Sequence, residues 1–206
     1  GYVALTADFP TSLFQADNPG NAADLSAGLD WAKNKLPGVA NADLAGVTGH
    51  SLGGKLSLLA ATKDARFKAS IVLDPVDGGG GPGGGCNPPG CVDVSALMGS
   101  LNIPTGFLGE TTDAAGGFQP CAPAAENFTT FYAAANSPSF AVTIKGANHM
   151  SFLDDVASCG LTCSFCNMAT LDNATVNGMS RAYVVAFYER HLRNNNPRVI
   201  DHTPRW

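Results

Sequence analysis

Short apolar runs alternate along this chain with longer stretches in which apolar residues recur every three or four positions. Tyr2 to Ala7 reads as a first strand. Asn18-Pro19 then offers a helix cap and a first-turn proline. Behind it Ala22, Leu25, Leu29, Ala32 and Leu36 recur at helical spacing until Pro37-Gly38 stops the helix. Leu44 to Thr48 reads as a second strand, followed by Gly49-His50-Ser51-Leu52-Gly53-Gly54 and a helix to about Thr62. Further strands are expected over Ala69–Leu73, ending in Asp74-Pro75, over Ile103–Leu108, ending in Gly109-Glu110, and over Phe140–Ile144, with His149 just beyond. A closing helix from about Asn177 to Arg193 is expected to bury Met179, Ala182, Tyr183, Ala186 and Phe187. Strands alternating with helices predict an α/β fold, one domain over 1–206 on a mainly parallel sheet flanked by helices.

Two segments break the rhythm. Residues 78–85 read GGGGPGGG, a flexible loop rather than an element, and Ala114 to Pro123 is a second long loop after a strand. Loops at the carboxyl ends of parallel strands are where such folds build sites.

Composition narrows the classes. Of 206 residues 45% are hydrophobic and 14% charged, which excludes a disordered chain. No stretch approaches the roughly 20 apolar residues of a membrane span. The 12 basic residues are scattered and the net charge is −5, so a nucleic-acid partner is not expected. The six cysteines, Cys86, Cys91, Cys121, Cys159, Cys163 and Cys166, form an even set. Cys163-x2-Cys166 beside Cys159 has zinc-ligand spacing, but no second pair or His-x3–5-His partner follows. Three disulfides in an oxidising, secreted or extracytoplasmic setting are expected, with Cys86 and Cys91 closing one small loop.

Gly49-x-Ser51-x-Gly53 lies between a strand and a helix, the context in which a serine is presented as a nucleophile. The turn must be strained so that the hydroxyl projects, and the flanking glycines let the neighbouring backbone pass. The Leu52 N–H, at the start of the helix, is the expected oxyanion donor. Gly49-x4-Gly54-Lys55 also approaches a phosphate-binding loop, but Leu56 stands where that loop needs a hydroxyl. A nucleophilic serine needs a base and an orienting carboxylate. Among His50, His149, His191 and His202, His149 follows the last strand at the sheet's carboxyl edge and is the expected base; His50 is expected to turn away into packing. For the acid, Asp74, Asp77, Glu110 and Asp113 all follow strands, and any of them could instead cap a turn.

Gly49-His50-Ser51-Leu52-Gly53-Gly54-Lys55 followed by Leu73-Asp74-Pro75-Val76-Asp77-Gly78 resembles the chlorophyllase family of α/β-hydrolases. Leu108-Gly109-Glu110, Pro120-Cys121-Ala122-Pro123 and Asn148-His149 before Phe152-Leu153-Asp154-Asp155 extend the likeness in order over most of the chain. The resemblance implies a serine esterase forming an acyl-enzyme, with Ser51 as nucleophile, His149 as base and an acid from Asp-Pro-Val-Asp-Gly. The spacing from Ser51 to Asp74 is similar to that of platelet-activating-factor acetylhydrolases, which favours Asp74 over Glu110 and Asp113. Leu52 departs from the arginine usual in plant chlorophyllases, as do the glycine run and the Cys159–Cys166 cluster. The chain therefore looks like a bacterial, secreted relative.

The resemblance implies no metal or organic cofactor and a small-molecule or lipid-like ester as partner. A lipase, acetylhydrolase or polyester hydrolase of the same fold is the alternative. An inactive binding module is the alternative of another class. The fold has strands before the one read at Tyr2, including a loop that donates the second oxyanion N–H. An upstream segment completing the sheet is therefore expected as a further partner. Asn127-Phe128-Thr129 and Asn173-Ala174-Thr175 are glycosylation sequons. Phe118, Phe128, Phe131, Met150 and Phe152 could line a substrate pocket or simply fill the core.

Overall fold

Four strands, β1 (Ala45–Val47), β2 (Phe67–Leu73), β3 (Thr105–Gly109) and β4 (Ser139–Thr143), pair in parallel and in chain order. The computed structural model describes residues 1–9, 17–78, 89–115, 120–156 and 165–195. Parallel neighbours need crossovers. α2 (Leu52–Lys63) links β1 to β2, and α3 (Phe128–Ala134) links β3 to β4. α1 (Asn18–Lys35) packs on α2, and α4 (Asn173–Arg193) packs on β1 and β2.

The central strands β2 and β3 bury both faces, as parallel strands under two helical layers must. Val72 and Phe107 join Leu58, Leu59, Phe128 and Phe131 in the cluster beneath α1, α2 and α3. Ile71 and Leu108, their neighbours in the chain, join Val176 and Phe187 beneath α4. Each such side chain fully buried contributes about 1.5–3 kcal/mol. Phe128, Phe131 and Phe152 are core residues, Met150 is half-buried, and Phe118 lies outside the described residues.

Local chemistry sets the helix ends. The Asp17 side chain accepts from the Gly20 N–H and Pro19 occupies the first turn of α1, while Asp172 caps α4 by accepting from the Thr175 N–H. α4 starts ahead of the expected Asn177, and its buried face differs from the expected one. Met179 and Ala182 are exposed, whereas Val176, Ser180, Ala186 and Phe187 are buried. Ser180 can be buried because its hydroxyl donates to the Val176 carbonyl at 2.8 Å.

Tyr2 to Ala7 is not a strand. Residues 1–9 have no regular structure, and Tyr2, Val3 and Leu5 are exposed. Alternating apolar residues become a strand only when a neighbour completes the hydrogen-bond ladder. Among the described residues β1 is an edge with no strand beyond it. Tyr2 instead lies against Tyr188, whose ring also fills the space where Gly46 lacks a side chain.

Cys121 and Cys166 form a disulfide, and Cys91 is disulfide-bonded as well. Cys86, Cys159, Cys163 and most of the glycine run lie outside the described residues. Asn127 is not an open glycosylation acceptor: it is buried, it caps α3 through the Thr129 N–H, and its amide donates to the Ala122 carbonyl. No helix among the described residues is long and apolar enough to cross a membrane.

Candidate active site

Ser51 forms the turn between β1 and α2. Its φ is 55° and ψ −125°, a conformation that L-residues rarely adopt. The turn is held by Ser51 N–H donating to the Leu73 carbonyl and Leu73 N–H donating to Gly49. A side chain at Gly49 would run into the backbone of Gly53, so the tight turn requires glycine there. Leu52 opens α2, where first-turn N–H groups have no acceptor within the helix.

Asp74 directly follows β2, also at positive φ (42°), and is fully buried. Its Oδ1 accepts from the Glu110 N–H at 3.3 Å. His149 opens a 3₁₀ turn, His149–Phe152, shortly after β4. The turn is closed reciprocally: the Asn148 N–H donates to Ser151 Oγ, and the Ser151 hydroxyl donates to Asn148 Oδ1.

Three chain-distant side chains meet here. His149 Nε2 lies 2.8 Å from Ser51 Oγ, and Nδ1 lies 2.6 Å from Asp74 Oδ2. Burial drives both members of the Asp74–His149 pair toward their uncharged forms, the carboxyl upward and the imidazole downward. When the neutral imidazole carries its one hydrogen on Nδ1, donating to Asp74 Oδ2, Nε2 is left to accept a hydroxyl hydrogen.

The other candidate acids have other partners. Asp113 Oδ2 accepts the backbone N–H of His149 at 2.8 Å, and its Oδ1 accepts the N–H of Asn167 at 2.6 Å. Glu110 Oε2 accepts the Asp113 N–H, while its buried Oε1 has no hydrogen-bond partner among the described residues. Burial, then the nearby charge of Asp74, pushes the Glu110 carboxyl up to about 8. Asp77 accepts from the Val94 and Ser95 N–H groups and pairs at 3.2 Å with Lys55, itself fully buried. Lys55 also donates to the Asp77 carbonyl, so this lysine braces the segment after β2 instead of facing a phosphate.

The sequence profile of the chlorophyllase family matches residues 21–202. The chain belongs to the chlorophyllase family. No curated protein sequence matches it. Among solved structures, the ferulic acid esterase from Streptomyces cinnamoneus superposes with a TM-score of 0.63 at 22% identity. The alignment covers 96% of this chlorophyllase-family chain and 55% of that protein, so the chain spans about half the length of that neighbour. The likeness shows the α/β-hydrolase fold.

In this chlorophyllase-family chain, Ser51, Asp74 and His149 come together, with Leu52 beside them at the head of α2. Sequence reasoning missed two contacts. His50 is expected to turn into packing, and its ring does stack with Phe152, but its Nε2 also lies 2.8 Å from the His149 carbonyl oxygen. Asn167 was not singled out. Its side chain donates to the Thr112 carbonyl and its own carbonyl accepts from Asn148 Nδ2, so it joins the loop after β3 to the base loop. Its place next to Cys166 was the only signal available. A cavity of about 490 Å³ lined by Ala22, Ser26, Leu59, Val92 and Leu97 opens beside α1 and α2 and includes none of the site residues.

Proposed function

We propose that this chain hydrolyses carboxylic esters through an acyl-enzyme on Ser51. The observation that carries the reading is the line Ser51 Oγ–His149 Nε2 and His149 Nδ1–Asp74 Oδ2, set on a turn at positive φ. Ser51 Oγ attacks the ester carbonyl as its proton passes to His149 Nε2, and Asp74 stabilises the imidazolium that forms. The Leu52 N–H donates to the developing oxyanion. Collapse expels the alcohol, which takes the proton from His149. A water then attacks the acyl-enzyme, giving its proton to the same nitrogen, and Ser51 leaves with it as the acid departs. Family membership and a neighbour that is by title an esterase support the ester class.

The experiment is turnover of short-chain p-nitrophenyl esters together with labelling by a serine-reactive phosphonate. Stoichiometric label on Ser51 with ester turnover is expected. Label on another residue, or none, overturns the reading and favours a binding module. Comparing a chlorophyll, a triglyceride and a polyester then separates chlorophyllase-like, lipase-like and polyester-hydrolase substrates.

Two further observations support a reading of partner and compartment. β1 has a free edge among the described residues, beside exposed Tyr2, Val3 and Leu5. A segment outside these 206 residues, covalently attached or not, pairs with that edge and brings the second oxyanion donor. A monomeric, fully active 206-residue chain would overturn this. The Cys121–Cys166 bridge fits an oxidising, extracytoplasmic setting.

A further inference from the structure

Both backbone polar groups of His149 are taken by side chains. Its N–H donates to Asp113, and its carbonyl oxygen lies 2.8 Å from His50 Nε2. A carbonyl oxygen can only accept, so His50 carries its hydrogen on Nε2. With that nitrogen bonded to the His149 carbonyl, His50 has no Nε2 lone pair to offer the Ser51 hydroxyl.

His50 hangs from the same piece of sheet that sets the rest of the site. It bridges to Leu73, the residue before Asp74, and the Ser51 N–H donates to the Leu73 carbonyl. Its ring centroid lies 4.6 Å from that of His149, and Phe152 covers it at 5.9 Å. The contact spans 99 positions of sequence and ties the nucleophile turn to the 3₁₀ turn that carries His149.

We infer that His50 is a positioning residue: its Nε2–H···O=C bond fixes His149 at hydrogen-bond distance from Ser51 Oγ. The inference rests on the ester-hydrolase reading for its kinetic consequence, though not for its geometry. Burial, and then the neighbouring His149, hold the His50 imidazole down to about 3. It therefore stays neutral in the Nε2–H form while His149 gains and loses a proton. Misplacing a reacting group by about 1 Å can cost about 10²-fold in rate, so holding His149 from both backbone groups has a direct kinetic effect.

The test compares His50→Phe, which keeps the ring and removes the donor, with His50→Gln, which keeps a donor at similar reach and removes the ring. With p-nitrophenyl acetate, H50F is expected to lower kcat about tenfold at unchanged KM, and H50Q to recover most of that loss. Equal damage in both variants would mean that the ring packs and the hydrogen bond does nothing, which overturns the inference. So would wild-type kcat in H50F. A second readout does not depend on turnover or on a folded variant. In wild-type protein with ¹⁵N-labelled histidine, His50 should be found as the Nε2–H tautomer and His149 with a low-field Nδ1–H resonance. A His50 Nδ1–H tautomer overturns the inference even if the protein hydrolyses esters. Absence of ester turnover with the expected tautomers overturns the functional reading and leaves the clamp standing.

Discussion

Asp113 meets His149 through the backbone: the carboxylate accepts the His149 N–H at 2.8 Å, whereas Asp74 takes the imidazole at 2.6 Å. Two buried acids thus serve one histidine at different atoms. Asp74→Asn should lower kcat by roughly 10⁴ by leaving the imidazole in the wrong tautomer. Asp113→Asn keeps an oxygen for one of the two N–H groups and should lose only about tenfold. Steady-state kinetics on p-nitrophenyl acetate with the two variants side by side will separate the roles. Reversed magnitudes would transfer the orienting role to Asp113.

The turn at Ser51 stores strain that glycine would not feel. Ser51→Ala should abolish turnover with a nearly unchanged urea midpoint. Ser51→Gly should abolish turnover too, while raising stability by about 1 kcal/mol, because φ of 55° costs glycine little. Equilibrium urea unfolding of both variants tests this, and a Ser51→Gly protein less stable than Ser51→Ala would refute it.

Glu110 ties stability to pH. Its folded pKa is raised to about 8, so the fold favours the protonated form. The stabilisation is complete below the unfolded value near 4.3 and is lost as pH rises through about 8. Glu110→Gln removes this titration while its amide occupies the place of the unpartnered Oε1. Thermal unfolding at pH 5 and pH 9 should show the wild type losing about 5 °C or more relative to Glu110→Gln at the higher pH. Parallel pH profiles would mean that Glu110 is ionised throughout.

Lys55 and Asp77 form an ion pair with the lysine fully buried. Lys55→Met leaves the Asp77 carboxylate without its cation and should cost about 3–5 kcal/mol. Denaturant unfolding measures the loss. A change below about 1 kcal/mol would show that the Val94 and Ser95 N–H groups satisfy Asp77 by themselves.

The Cys121–Cys166 bridge closes a separation of 45 residues, for which chain entropy allows up to about 4 kcal/mol. Because Asn167 donates its N–H to Asp113, the paired substitution Cys121→Ala with Cys166→Ala should lower both the unfolding midpoint and kcat. Mass spectrometry of the wild type without reductant should detect this pair as a crosslink. A double variant with unchanged kcat would uncouple the bridge from the His149 loop.

Much of this architecture could be read from residue order. The Asn18-Pro19 start and Pro37-Gly38 stop bracket α1, although Asp17 and not the expected Asn18 supplies the cap, and the apolar runs locate β1 to β4, because helix stops and apolar strands leave local marks. The Gly-x-Ser-x-Gly turn is likewise local. What failed depended on neighbours. Tyr2 to Ala7 has strand-like residues but no paired strand, and α4 buries Ser180 in place of Met179 because a hydroxyl can bond its own helix. The contacts of His50, Asp113 and Asn167 each pair a side chain with a backbone group far away in sequence, and no pattern of side-chain types announces a backbone donor or acceptor of the kind that nearly every residue possesses.

The strand order has a consequence for the chain as it leaves the ribosome. Since β1, β2, β3 and β4 are spatial neighbours in the order of synthesis, each new strand can dock on one already made. Ser51 and Asp74 are then in place while His149 and the helix that roofs the second face are still inside the exit tunnel or being translated. A nascent chain therefore carries Ser51 without His149 until the 98 positions between them have been made and β4 has docked, so the three side chains meet only after the four-stranded sheet is built.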